Sequence, residues 1–255
     1  MLQEPEGPYV MGGWIGARRQ RRLIDAVLAE RSVRMVFQPI VDGATMRQVG
    51  AEALARFARP DYPGPEQWFA AALAVGRGLP LQLLATEAAL ADAVKLPEDC
   101  YVAINVGPEA LMSSELVPML LSSAVAADRL VVELTEHTKI SDYTPMRRAR
   151  QGLADHGIRF SVDDVGAGYA SLRHVLALQP DMAKLDRDLI IGFEHDKARQ
   201  ALVMAALTFA HSQDFILVAE GVETPGEARV LAELGMDQLQ GNAIGRPAPI
   251  DGPPE

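Results

Sequence analysis

Cysteine is nearly absent from this chain: Cys100 is the only one in 255 residues. No intrachain disulfide and no cysteine-rich zinc site can form, which suits a reducing, cytoplasmic setting. No run of about 18 apolar residues exists to insert into a membrane. The first ten residues lack the basic start and apolar stretch of a signal peptide and carry Glu4, Pro5, Glu6 and Pro8 instead. Cationic residues are in short supply, with 24 Lys and Arg against 34 Asp and Glu, for a net charge of −10. That balance argues against a nucleic-acid polymer as partner, because such binding needs Lys and Arg to neutralise phosphates. A small phosphate ligand stays possible, since a bound metal ion reverses the local field. The five histidines show no metal-binding spacing such as His-Glu-x-x-His and read as surface or packing residues. There is no internal repeat and no low-complexity tract.

What is present is a rhythm. Apolar residues make up 49% of the chain, enough to build a large core. Residues 1–17 are rich in Gly and Pro and read as a flexible lead-in or linker remnant, residues 18–250 as the folded unit, and residues 251–255 as a tail. A helix is expected over Arg18–Glu30. Eight short apolar runs follow, at Val33–Val41, Met46–Leu54, Cys100–Val106, Leu130–Leu134, Arg159–Val162, Met182–Leu185, Phe215–Ala219 and Asp237–Leu239. Helical segments such as Pro80–Lys95, Ser114–Ala127, Thr144–His156, Asp196–Ser212 and Thr224–Leu234 alternate with them. Strand–helix alternation with eight strands predicts an α/β fold, a (β/α)₈ or TIM barrel. The first two runs are separated only by Asp42-Gly43-Ala44-Thr45, a hairpin turn, so the barrel is modified by one antiparallel strand near the N-terminus.

The polar residues fall where such a barrel concentrates chemistry. Glu52 lies near the end of the second run, Asn105 and Glu133 at the ends of the third and fourth, and Asp163 and Asp164 after the fifth. Lys184 and Asp186 end the sixth, Glu220 and Glu223 the seventh, and Gln240 the eighth. Any one of these is more often a helix cap, a turn residue or a barrel-interior ion-pair partner. Together they converge on one barrel mouth, where active sites form. A crowd of carboxylates is tolerable mainly when hard cations hold it, and oxygen-only donors favour Mg²⁺ or Mn²⁺ over Zn²⁺.

At these residues the sequence resembles the EAL family of c-di-GMP phosphodiesterases. The motifs, in order, are Phe37-Gln38-Pro39-Ile40-Val41, Glu52-Ala53-Leu54-Ala55-Arg56, Ile104-Asn105-Val106 and Glu133-Leu134-Thr135-Glu136. They continue with Asp163-Asp164-Val165-Gly166-Ala167-Gly168-Tyr169, Lys184-Leu185-Asp186, Ala219-Glu220-Gly221-Val222-Glu223-Thr224 and Gln240-Gly241. Each is weak alone; the ordered set, over about residues 20–250, is specific. The resemblance implies a barrel with a reversed first strand, two Mg²⁺ or Mn²⁺ ions per site, hydrolysis of c-di-GMP to linear pGpG in bacterial signalling, and a homodimer. It implies that Glu52, Asn105, Glu133 and Asp163 hold one metal, and Asp163, Asp164 and Glu220 the other. Lys184 would orient the attacking water and Glu220 accept a proton. Arg56 would hold a phosphate oxygen. Gln38, Asp186, Glu223 and Gln240 would serve substrate or the metal shell, and Glu136 would anchor the loop after Asp164.

The chain departs from the family pattern at Val165, Ala167 and Ala170, where Phe, Thr and Ser are usual, at Gly107, and at Asn242-Ala243 in place of an aromatic pair. The alternative reading is a catalytically weak EAL domain acting as a c-di-GMP receptor or protein-interaction module. The retained ligand set favours the enzyme.

Overall fold

The structure, a computed structural model, describes residues 16–135, 142–165 and 169–252, without the side chains of Asp164 and residues 169–172. Most of the expected lead-in, the last three residues of the tail, Glu136, and Gly166-Ala167-Gly168 lie outside the described residues. Ala17, counted with the lead-in, opens α1 (Ala17–Glu30).

Eight strands close into a barrel in sequence order. They are β1 (Val33–Asp42), β2 (Gln48–Phe57), β3 (Tyr101–Val106), β4 (Leu130–Leu134), β5 (Arg159–Val165), β6 (Met182–Leu185), β7 (Ile216–Ala219) and β8 (Gln238–Gln240). β1 runs antiparallel to both β2 and β8, and every other neighbouring pair is parallel. The reason is local. Five residues join β1 to β2, whereas a parallel crossover needs a dozen or more. Asp42 fixes that turn by accepting hydrogen bonds from the Thr45 amide and hydroxyl, both at 2.7 Å. Met46 has φ +56°, so the second strand begins at Gln48 rather than at Met46.

Each strand from β2 to β7 is followed by helix, as the rhythm predicted. Between β2 and β3 lie α2 (Pro65–Ala74) and α3 (Gly78–Ala93). Between β3 and β4 lie α4 (Pro108–Leu111) and α5 (Leu116–Ser122), then a 3₁₀ turn at Ala127–Arg129. The expected helix Ser114–Ala127 is thus shorter, because Ser123 turns extended and its hydroxyl binds the Leu120 carbonyl. α6 (Thr144–Ala154) and α7 (Tyr169–Leu178) flank β5. α8 (Arg187–Ile190) and α9 (Lys197–Ser212) follow β6, and α10 (Pro225–Glu233) follows β7. No described helix is long and apolar enough to cross a membrane.

The two-residue period of a strand divides the side chains. Outward-facing Ala51, Ala53, Val102, Ile104, Val132, Val162, Leu185 and Leu217 join the helices in the main core, and a register shift on β5 between Val162 and Val165 puts Val165 there too. Inward-facing Ile40, Tyr101, Ala103, Val131, Met182 and Val218 form a separate apolar cluster inside the barrel. Beneath it, the Tyr101 hydroxyl donates to Gln238 at 2.6 Å, and the Arg159 guanidinium lies over the Tyr101 ring. Gly50 must be small, because a Cβ there would lie 2.5 Å from that ring. A third cluster, with Ile24, Val27, Trp68, Leu81 and Leu84, fastens α1, α2 and α3 together.

Candidate active site

Continuing the inward-facing period one step past the apolar layer gives the site. Tyr101 and Ala103 are followed by Asn105, Val131 by Glu133, Met182 by Lys184, Val218 by Glu220 and Gln238 by Gln240. On β5, Asp163 follows Ser161. On β2, Glu52 stands between Gly50 and Leu54, with Arg56 two further steps along the same face. β2 runs on to Phe57, so Glu52 sits in mid-strand rather than near the strand end. Because β2 to β8 are parallel, these groups share the C-terminal mouth of the barrel.

Lys184 is the centre of the group and is 2% exposed. Its ammonium donates to Glu133 Oε1 at 2.7 Å and Glu52 Oε2 at 3.0 Å and pairs with the carboxylate of Glu220. Glu133 is 1% exposed. Glu52 is held on both oxygens: Asn105 Nδ2 donates to Oε1 at 2.5 Å, and Gln240 Nε2 donates to Oε2 at 2.6 Å. Gln240 Nε2 also reaches Gln38 Oε1 at 3.1 Å, and Gln38 Nε2 donates to the Gly245 carbonyl. Gln38 therefore works here as a brace for Gln240 and, through it, for Glu52.

One ammonium among two buried carboxylates and one half-buried leaves surplus negative charge, and the carboxyls respond differently. Burial pushes Glu52 upward, but the Lys184 charge and hydrogen bonds from Gln240, Asn105 and Lys184 outweigh it and hold this group below its ordinary value. Burial raises Glu133 well above the usual range, and the charges of Glu52, Asp163 and Glu220 add to it despite Lys184. Burial, with Asp163 and Glu52 nearby, carries Glu220 to about 8 against the pull of Lys184. Burial alone would lower Lys184; Glu133, Glu220, Glu52 and Asp163 reverse that and keep it firmly protonated.

This donor set suits a hard divalent cation. Oxygens of Glu52, Glu133 and Glu220 lie within 4.8 Å of one another. The Lys184 ammonium occupies the role of a cation among them. The buried Gln240 Oε1, beside Glu52, has no hydrogen-bond partner. Carboxylate and amide oxygens are the donors that Mg²⁺ and Mn²⁺ prefer.

The remaining expected residues lie around this core. Asp163 is half-buried on β5 and lies close enough to raise Glu133 and Glu220. Arg56 donates to the Ala55 carbonyl at 3.1 Å. Asp186 caps α8, its Oδ1 accepting from the Asp188 amide at 2.6 Å. Glu223 is exposed on the rim, where Asn242 Nδ2 donates to both its oxygens at 3.2 and 3.0 Å and Arg187 lies 3.9 Å away. Val165, the altered loop position, is buried on the helix-facing side of β5. Glu136 and the Asp164 side chain lie outside the described residues. Sequence reasoning passed over Glu227, a buried carboxyl that ties together the loop carrying Glu220 and Glu223. The signal for it was Thr224-x-x-Glu227, the spacing of a helix capping box.

Acids gathered around one ammonium at the C-terminal mouth of an eight-stranded α/β barrel stand where barrel enzymes carry their active sites. The EAL domain family matches residues 20–247. This chain belongs to that family. The probable cyclic di-GMP phosphodiesterase PdeN of Escherichia coli is 31% identical over 258 aligned residues, covering 95% of this chain and 48% of PdeN. The chain thus spans about half of that relative, and about a third of two others that match it, from Synechocystis and Caulobacter vibrioides. Among solved structures, the PaMucR phosphodiesterase in complex with c-di-GMP is 28% identical with a TM-score of 0.79, over 91% of this chain and 98% of that one. BlrP1 of Klebsiella pneumoniae, solved as a manganese and c-di-GMP complex, is 30% identical with a TM-score of 0.76, over 85% of this chain and 56% of that one.

Proposed function

We propose that this chain is a c-di-GMP phosphodiesterase that opens the cyclic dinucleotide to linear pGpG with two bound Mg²⁺ or Mn²⁺ ions. The observation that carries the reading is the Glu52–Glu133–Glu220 triad around Lys184, with Glu52 and Glu133 buried and Glu220 half-buried. It stands in a chain of the EAL family similar to PaMucR and BlrP1, both solved with c-di-GMP. Glu52, Asn105, Glu133 and Asp163 would hold one ion, and Asp163, Asp164 and Glu220 the other. When bound, such ions would neutralise charge on the phosphoryl oxygens and lower the pKa of water.

The chain's own groups do the rest. Asn105 and Gln240 fix the Glu52 carboxylate from opposite sides, so its position is set before a ligand arrives. Lys184 carries a permanent positive charge at the floor of the mouth, where it can orient a water and offset negative charge developing in the transition state. Glu220, paired with Lys184 at the mouth, is assigned as the group that accepts a proton. Arg56, on the rim side of Glu52, is assigned to a phosphate oxygen. Glu223, held by Asn242, and Gln38, Asp186 and Gln240 support the substrate or the metal shell. The same reading takes the protein to be a cytoplasmic homodimer, which light scattering on the purified protein tests.

The deciding experiment is product analysis by chromatography after incubation with c-di-GMP and Mn²⁺ or Mg²⁺. Formation of pGpG, lost in excess chelator, is the expected result. Tight c-di-GMP binding without pGpG under either metal would make the chain a receptor instead.

A further inference from the structure

We propose that Glu227 is a positioning residue for the site, acting through the loop that carries Glu220 and Glu223; the proposal rests on the phosphodiesterase reading above. Glu227 is a carboxylate 2% exposed, in the first turn of α10. A carboxyl this buried needs several hydrogen-bond donors, and these are all backbone amides. Oε1 accepts from the Gly192 amide at 2.7 Å. Oε2 accepts from Glu223 at 2.8 Å and Thr224 at 3.1 Å. In return, the Thr224 hydroxyl accepts from the Glu227 amide at 3.1 Å, completing a capping box.

A capping box alone would need only the Thr224 side of this arrangement. The bond to Gly192 does more, because it joins two loops at the same barrel mouth. Gly192 belongs to the segment after β6, which follows Lys184 and begins with the Asp186 cap. Glu223 belongs to the segment after β7, three residues beyond Glu220. That segment is already tied to its neighbours by Glu220 N to Leu185 O at 3.4 Å and Val222 N to Gln240 O at 3.1 Å. Gly221, at φ +64°, lies under Arg187, where a Cβ would come within 2.6 Å of Arg187 Cγ. Gly226 likewise faces the Glu194 carboxylate, which would lie 2.2 Å from an added Cβ. The loop is held at its β6 and β8 sides by backbone contacts, and from below by Glu227. Removing the carboxylate frees three part-buried amides and the lower hold on Glu223 and Thr224, so the loop no longer fixes Glu220 beside Lys184.

The test is Mn²⁺ affinity by calorimetry, beside kcat and KM for c-di-GMP, on full-length wild type, Glu227→Ala, Glu227→Gln and Thr224→Val, all well below their melting temperatures. Outer groups that orient ligands are worth about 10–100-fold in metal affinity or activity. Glu227→Ala is expected to lose about that much in both Mn²⁺ affinity and kcat, with KM changed less. Glu227→Gln keeps one acceptor oxygen but turns an amide toward backbone donors, so it should recover part of the loss. Thr224→Val removes the cap hydroxyl and its 3.3 Å bond to Glu194 but leaves the Glu227 carboxylate on its three amides, so it should lower the melting temperature while leaving Mn²⁺ affinity at the wild-type value. A folded Glu227→Ala with Mn²⁺ affinity and kcat within about twofold of wild type would overturn the proposal. If that variant does not fold, Glu227→Gln carries the test, and wild-type values in both measurements overturn it equally. A wild-type protein that never yields pGpG defeats the phosphodiesterase reading but leaves the Mn²⁺ comparison to decide the role of Glu227.

Discussion

Replacing Lys184 by Met isolates the electrostatics of the site. Methionine has nearly the same length and keeps the packing of the stem, but it removes the ammonium that contacts Glu52, Glu133 and Glu220. Breaking a buried ion pair from one side costs about 3–5 kcal/mol, because the charge left behind is neither solvated nor paired. For a chain of this size each kcal/mol moves Tm by about 2–4 °C, so the expected loss is roughly 6–20 °C in chelator at pH 8. The carboxyls can escape by taking up protons, so the loss should shrink as pH falls toward 5. Adding Mn²⁺ should restore much of the lost Tm, since a divalent ion can do the job of the ammonium among the same oxygens. Circular-dichroism melts at pH 5 and pH 8, with and without Mn²⁺, read all of this. A variant with wild-type Tm in chelator at pH 8 would show that the cluster is not held by Lys184. A destabilised variant that Mn²⁺ cannot rescue would count against the carboxylates as a metal site.

Metal binding should release protons. Glu220, at about 8, is about nine-tenths protonated at pH 7 and must ionise to bind a cation, so calorimetry in buffers of different ionisation enthalpy should show release of about one proton from this group, plus any from Glu133. Release of none would refute the titration assigned to Glu220. The metal-free protein should lose stability as pH rises. Glu220 is raised on folding, so its contribution is full below about 4.5 and is lost as pH climbs through 8, which melts across that range in chelator will show. Glu133→Gln removes a buried carboxyl held well above its normal range, so the chelated protein should melt no lower than wild type at pH 8 while turnover falls by orders of magnitude. An active Glu133→Gln would remove that residue from the metal set. Gln240→Leu takes away one of the two amides that grip Glu52, and should lower Mn²⁺ affinity about 10-fold or more; unchanged affinity would leave Asn105 as sufficient.

Much of this protein is legible in one dimension because its information is periodic. Strands place alternate side chains on opposite faces, so apolar runs such as Leu130–Leu134 and Met182–Leu185 announce their own bounds, and both agree with the structure residue for residue. The position of the site's charged groups was legible for the same reason. One more step of the inward period beyond Val131, Met182 and Val218 lands on Glu133, Lys184 and Glu220. The hairpin turn after Asp42 showed that one of the first two strands must be reversed, because so short a link cannot cross a sheet.

Other features depend on where the barrel closes. That β1 is the reversed strand follows from its antiparallel pairing with β8, some 200 residues away. The sequence marks Lys184 as one polar group among many at the strand ends; only closure sets it between Glu52, 132 residues before it, and Glu220. The same closure braces Gln38 and Gln240 behind Glu52, and turns Glu227 from a helix cap into a clamp on Gly192. The sequence by itself determined which residues face inward and at which end of each strand the chemistry lies, since those depend on local backbone period. Tertiary structure alone decided which inward groups touch and which carboxyls stay ionised, because charge and hydrogen bonding act through distances that exist only once the sheet has closed.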